Sequence, residues 1–190
     1  MTHTIRPAHE RPTLPPDDAM TGSWRRGDTV DANALRSAAG AFPSGVTIIT
    51  TRMGRTPIGL TISSFASVSL DPPLILACIA RTAASLPAFR VGGPVGVNVL
   101  SSEQRRLAQR FASRHENRFA GVDYATGPHG VPLLDGVAAW MDGHIVRMYD
   151  GGDHVILVVR PHTVRRNECR PLLYHSGAMF DWSDAVGRSA

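Results

Sequence analysis

Residues Val137–Val164 read VAAWMDGHIVRMYDGGDHVILVVRPHTV, two apolar, β-branched runs either side of Asp150-Gly151-Gly152-Asp153. Glycine and aspartate supply the left-handed conformations and local hydrogen bonds of a tight turn, so the stretch predicts two long antiparallel strands, Val137–Met148 and His154–Val164, joined as a hairpin. Working outward, the same chemistry recurs. Val46–Thr51, VTIITT, is β-branched throughout; Ile58–Phe65 and Ser67–Leu70 are strand-like and stop at Asp71-Pro72-Pro73; Leu74–Ala80 and Val95–Leu100 are apolar runs of strand length. A last short strand is expected over Leu172–His175. Helices are few. Ala34, Leu35, Ala38 and Ala39 form a short stripe with Asp31 as N-cap and Gly40 as stop, and a short helix is expected over Thr82–Arg90. The clearest helix runs over Ser101–Arg118, opened by a Ser101/Gln104 capping box. Strands joined mainly by turns, without alternating βα units, predict a mainly β fold: a small antiparallel β-barrel, Greek-key-like, with helices on its flank.

The chain has 190 residues, 43% hydrophobic and 19% charged, enough for one core. Residues 1–30, rich in proline, aspartate, threonine and arginine, are expected to be a flexible N-terminal extension. Residues 31–182 form the domain and residues 183–190 a C-terminal tail. No run approaches the roughly 20 apolar residues of a membrane span, and the N-terminus has no secretory pattern, so a cytoplasmic protein with no membrane partner is expected. The 20 Lys+Arg are all arginine. Without lysine, Schiff-base chemistry is excluded, and Leu60 stands where a P-loop lysine would be needed in Gly54–Thr61. A net charge of +4 permits an anionic ligand and gives no reason to expect nucleic acid. Cys78 and Cys169 form neither a disulfide framework nor a zinc spacing, and no HExxH or helical i,i+4 pair occurs among the eight histidines, so no metal site is expected. No side chain stands out as a nucleophile, so a cofactor would have to supply the reactive group.

Gly59–Pro73, GLTISSFASVSLDPP, is the stretch richest in chemistry. Thr61, Ser63, Ser64, Ser67 and Ser69 either satisfy one another along a polar strand or surround a flat anionic ligand without filling the space its ring needs. Arginine would then supply any cationic phosphate contact.

Five landmarks in order resemble the flavin reductase-like family: FPSGVTIITT (Phe42–Thr51), GLTISSFASVSLDPPLIL (Gly59–Leu76), GVNVLSSEQRRLAQRFA (Gly96–Ala112), GDH (Gly152–His154) and PLLYHSG (Pro171–Gly177). The resemblance, from about Leu35 to Phe180, implies a flavin-binding split barrel. It also implies a reductase that uses NADH or NADPH to reduce FMN or FAD for a two-component flavin monooxygenase. By the same resemblance, Thr61, Ile62, Ser63 and Ser64 run along the isoalloxazine, and Pro43, Ser44, Gly45, Val46 and Thr47 lie against the ring. Ser67, Val68 and Ser69 hold the ribityl and phosphate side, and Ser85 contacts phosphate. Relatives often have serine where Ala83 stands, which shifts the phosphate contact toward Arg81 or Arg90. Ser63 stands for a frequent asparagine and Ala66 for a frequent hydroxyl residue. His154 is the expected catalytic residue, orienting the nicotinamide together with Gly152, Asp153 and Tyr174; the alternative is that Asp153-His154 only closes the turn. A homodimer is implied as well. Arg105, Arg106, Arg110, Arg114 and Arg118 on the long helix form either a solvated face or a surface for an acidic partner, such as the oxygenase that receives the flavin. A second functional reading keeps the flavin tightly held, in an electron carrier or auxiliary oxygenase.

Overall fold

A computed structural model describes residues 30–114 and 117–181. The expectations for residues 1–29 and 183–190 lie outside the described residues. The chain divides into two compact units, residues 1–36 and residues 37–190. Helix α1 (Ala32–Gly40) crosses that division, and Asp31 caps it as its sequence predicts: Oδ2 accepts from the backbone amides of Asn33 at 3.0 Å and Ala34 at 2.9 Å. No residue of α1 is buried, so the alanine stripe marks helix propensity rather than a core face.

The second unit is mainly β. Its strands are β1 (Ser44–Gly45), β2 (Thr47–Met53), β3 (Thr56–Ile62), β4 (Ala66–Leu70), β5 (Pro73–Ala80), β6 (Pro94–Val99), β7 (Tyr124–Thr126), β8 (Pro132–Leu134), β9 (Ala139–Gly151), β10 (His154–Arg166), β11 (Leu173–His175) and β12 (Ala178–Phe180). Seven form one antiparallel sheet in the order β3-β2-β6-β9-β10-β5-β4. Strands β1-β11-β12 and β7-β8 make two small sheets. The expected mainly β class is borne out, and among the described residues no ladder joins β3 to β4. The long hairpin is β9–β10: β10 runs two residues past the expected Val164, with Arg165 and Arg166 paired to Trp140 and Ala139, while β9 starts at Ala139 rather than Val137 and continues past Met148 to Gly151.

Strand β2 explains why VTIITT is apolar without alternation. Ile49 faces a core with Ile75, Ile79, Val97 and Leu157; Ile48 faces a second core with Leu100, Phe111, Leu134 and Leu172. Both faces are buried, so both carry apolar or satisfied side chains. Thr50 donates to the Pro132 carbonyl at 2.6 Å. Asn98, fully buried, donates to the Ile48 carbonyl at 3.1 Å and accepts from the Leu134 amide at 2.8 Å. These bonds fix β8 across β2 and β6.

Two helical expectations are corrected. Thr82–Arg90 holds only a 3-10 turn, Leu86–Ala88, because Pro87 removes a donor. The helix expected over Ser101–Arg118 opens with the capping box and a 3-10 turn at Ser102–Gln104, then continues as α2 (Arg105–Ala112). It stops at Ser113, whose hydroxyl donates to the Arg110 carbonyl at 2.7 Å and whose backbone is extended.

Candidate functional site

The register of β5 and β10 sets His154 opposite Ala80 and Ile156 opposite Cys78. Just past Ala80, the chain is tied to the hairpin tip. The Arg81 amide donates to the Asp153 carbonyl at 2.9 Å, its Nε donates to the Gly152 carbonyl at 2.8 Å, and its guanidinium pairs with Asp150 at 2.8 Å. The Asp150 carboxylate also accepts the Gly152 amide at 2.9 Å, a turn that needs the positive φ of Gly152. The hydrogen bond from Arg81, then that from the Gly152 amide, hold the Asp150 carboxyl below its ordinary pKa. At this fixed tip, Asp153 Oδ1 lies 2.6 Å from His154 Nδ1. The carboxylate engages Nδ1 and leaves Nε2 for another partner. The His154 side chain is 44% exposed, so it can meet a ligand.

Ser64 borders the same end of β5. Its hydroxyl donates to the Cys78 carbonyl at 3.0 Å and accepts from the Cys78 amide at 2.9 Å, two residues before Ala80. Ser63, Ser64 and Phe65 lie between β3 and β4, outside any ladder. Among the described residues, the backbone amides of Ser63, Ser64 and Phe65, and those of Thr82, Ala84 and Ser85, donate to no protein acceptor. Two sets of outward N–H groups therefore flank the strand end, and Arg90 is exposed beyond them. This donor set fits a ligand with carbonyl oxygens and a phosphate.

The remaining expected residues divide by what their side chains do. Thr47 pairs with Ile62, so the Pro43–Thr47 and Thr61–Ser64 segments do run side by side. Val46, Thr47 and Ile62 are buried in the core, which leaves only their backbone to a ligand. The Thr61 hydroxyl is spent on the Ala108 carbonyl at 2.7 Å, where it fastens β3 to α2. Ser67, Val68 and Ser69 lie on the edge strand β4 at a bulge, with Ser67 and Val68 exposed. Pro43 is exposed, and Ser44 and Gly45 pair with Tyr174 and Leu173. Tyr174 thus sits on the small β1-β11-β12 sheet rather than on the His154 hairpin. Arg81, expected at a phosphate, is engaged by the hairpin tip instead.

A family model described as a flavin reductase like domain matches residues 39–183. The chain belongs to the flavin reductase-like family. It is 41% identical over 157 residues, 82% of this chain and 68% of the relative, to the stachydrine N-demethylase reductase subunit Stc3 of Rhizobium meliloti (strain 1021). It is 40% identical over 151 residues, 79% and 77% of the two chains, to the reductase subunit HsaB of a flavin-dependent monooxygenase from Rhodococcus jostii (strain RHA1). The solved structure of the NADH:FAD oxidoreductase SgcE6 of Streptomyces globisporus C-1027, in complex with NAD and FAD fragments, matches with a TM-score of 0.74 and 34% identity, over 82% of this chain and 95% of that one.

Of the five arginines expected on one helix, only Arg105, Arg106 and Arg110 lie on α2, which ends at Ala112 and leaves Arg114 and Arg118 beyond it. Arg118 donates to the Gly59 carbonyl at 2.8 Å and the Ser113 carbonyl at 2.6 Å, and Arg110 donates to the Asn117 carbonyl at 3.1 Å. Arg105, Arg106 and Arg114 are exposed. The structure also gathers residues that chain spacing does not reveal. His129, His144 and His162 place ring nitrogens within 4.8 Å of one another. They come from three separate elements, so the signal lies in strand register and not in a sequence motif.

Proposed function

We propose that this chain is an NAD(P)H:flavin oxidoreductase that supplies reduced FMN or FAD to a separate flavin-dependent monooxygenase. The observation that carries this reading is the hairpin tip, where Asp153 holds His154 Nδ1 at the end of β5, together with two sets of backbone amides that have no protein acceptor among the described residues. With both cofactors bound, the nicotinamide would supply a hydride from C4 to flavin N5, giving NAD(P)⁺ and reduced flavin. The chain's own part is to bind and align. The amides of Ser63–Phe65 donate to the ring carbonyls. The amides of Thr82, Ala84 and Ser85, with the Ser85 hydroxyl and Arg90, take the phosphate. His154 Nε2 would bind the nicotinamide carboxamide or a phosphate oxygen and so align the dihydropyridine for hydride transfer, which needs a donor–acceptor distance of roughly 3–3.5 Å. Arg81 positions this histidine through Asp150, Gly152 and Asp153.

The reading includes a homodimer in the cytoplasm, where reduced nicotinamide is at hand. It is supported by Phe42, Val68 and Leu70, exposed at 78%, 50% and 93%, which a second copy would cover. The acidic face of the partner oxygenase would meet Arg105, Arg106 and Arg114. The test is to mix the purified full chain with each nicotinamide and each flavin and follow loss of the nicotinamide absorbance band. Sedimentation of the same sample gives the subunit number.

A further inference from the structure

Three imidazoles meet toward the end of the β9–β10 hairpin remote from His154. His144 lies on β9, His162 on β10, and His129 between β7 and β8. Their ring centroids are 4.6 Å apart for His129 and His144, 5.1 Å for His129 and His162, and 5.3 Å for His144 and His162.

Several features of the fold bring them together. Along the hairpin, Pro161 pairs with Gly143 and Thr163 with Asp142, so His162 is the extra residue of a β-bulge, a device that re-aims a side chain. Gly143 makes the bulge sterically feasible. A Cβ there would fall on the Arg160 carbonyl oxygen and lie 2.8 Å from the Pro161 Cα. Behind His129 stands Asp142, whose side chain is wholly buried. Oδ1 lies 2.9 Å from His129 Nδ1, and Oδ2 accepts the His129 amide at 3.0 Å. Gly127 leaves room for that carboxylate, since a Cβ at this position would strike Oδ2. A buried carboxylate is costly to desolvate, and here it is used to orient one partly exposed histidine.

We propose that His129, His144 and His162 form a binding site for a divalent first-row transition metal ion, Zn²⁺ being the best match, with Asp142 as the positioning carboxylate behind His129. Three imidazoles are a recurrent zinc set, and a carboxylate on the distal nitrogen of a ligating histidine is its usual support. With Nδ1 engaged by Asp142, His129 coordinates through Nε2. One ring nitrogen of each histidine lies within 4.8 Å of the others, and a tetrahedral site with roughly 2.05 Å bonds needs about 3.3 Å. Small side-chain rotations supply that closure, because His162 is exposed. The exposed side gives the ion its way in and leaves a fourth position for water or an anion. His162 lies eight positions along β10 from His154, about 25 Å of strand. The ion therefore lies away from the proposed hydride-transfer site and does not depend on that reading. It would clamp the β7–β8 pair onto the long hairpin.

The test uses the untagged full chain, stripped with a chelator and titrated with Co²⁺, followed by Zn²⁺. The expected result is one equivalent of Co²⁺ with the intense visible d–d bands of a four-coordinate nitrogen site, lost on adding Zn²⁺. His162→Gln and His144→Gln weaken Co²⁺ binding by at least about tenfold, and Asp142→Asn by about tenfold, with far-UV circular dichroism unchanged for His162→Gln. Absence of the bands in the wild-type chain overturns the site. So does undiminished affinity in His162→Gln, an exposed position whose substitution leaves the fold intact.

Discussion

Ser64 grips Cys78 twice, its hydroxyl donating to the Cys78 carbonyl at 3.0 Å and accepting from the Cys78 amide at 2.9 Å. This side chain does the work of a missing ladder residue and fixes the loop between β3 and β4 near the C-terminal end of β5. Ser64→Ala loses both bonds and leaves a part-buried amide and carbonyl unpaired. Equilibrium denaturation is expected to show a loss of about 1–3 kcal/mol. Flavin affinity should weaken with it, because the Ser63–Phe65 amides lose their fixed position.

Thr61 provides the contrast. Its hydroxyl donates to the Ala108 carbonyl and faces α2, so Thr61→Val should cost about 1 kcal/mol of stability with flavin affinity unchanged. A large change in flavin binding, measured by fluorescence titration, would place the hydroxyl in the ligand site instead.

At the hairpin tip, His154→Ala is expected to raise the KM for NAD(P)H about 2- to 10-fold, the equivalent of one hydrogen bond, with the flavin dissociation constant little changed. Arg81→Ala should move the same parameter in the same direction through the loosened tip. Its melting temperature should barely shift, since both Arg81 and Asp150 are exposed.

Gly143→Ala should be severe. The added methyl meets backbone at Arg160 and Pro161, which cannot rotate away, so the hairpin bulge must deform. A loss of about 1–3 kcal/mol or more is expected, together with loss of Co²⁺ binding.

Burial, then the charges of His129 and His162, hold the His144 imidazole below its ordinary pKa of 6.5, against the opposing pull of Asp142. The unfolded chain therefore takes up this proton at higher pH than the folded one. The contribution to stability is full above about pH 6.5 and is lost as pH falls through the lower, folded value. Melting curves of the metal-free chain from pH 8 down to about pH 5 should show this decline, and His144→Gln should flatten it.

Most of the strand framework was legible because its signals are local. The Asp150–Asp153 turn, the β-branched runs and the Ser101/Gln104 capping box each declare themselves within a few residues. Strands β7, β8 and β12 are three residues each and carry too little periodicity to be seen. The end of α2 was hidden because Leu107 and Phe111 suggest a helix that Ser113 then unpicks by bonding back to Arg110. At the site, the resemblance names segments, whereas the direction of each side chain is read only from the structure. Ile62 and Thr61 are neighbours in sequence, yet one enters the core and the other binds a helix carbonyl, and neither hydroxyl count nor motif reveals that. The three histidines needed the bulge at His162, a feature of pairing between strands.

The most direct test of the central claim is anaerobic reduction of free flavin by the purified full chain with NADH or NADPH, followed by flavin absorbance. Catalytic bleaching of FMN or FAD over many turnovers, slowed at limiting nicotinamide by His154→Ala, is the predicted result. No bleaching with either flavin and either nicotinamide would contradict the account.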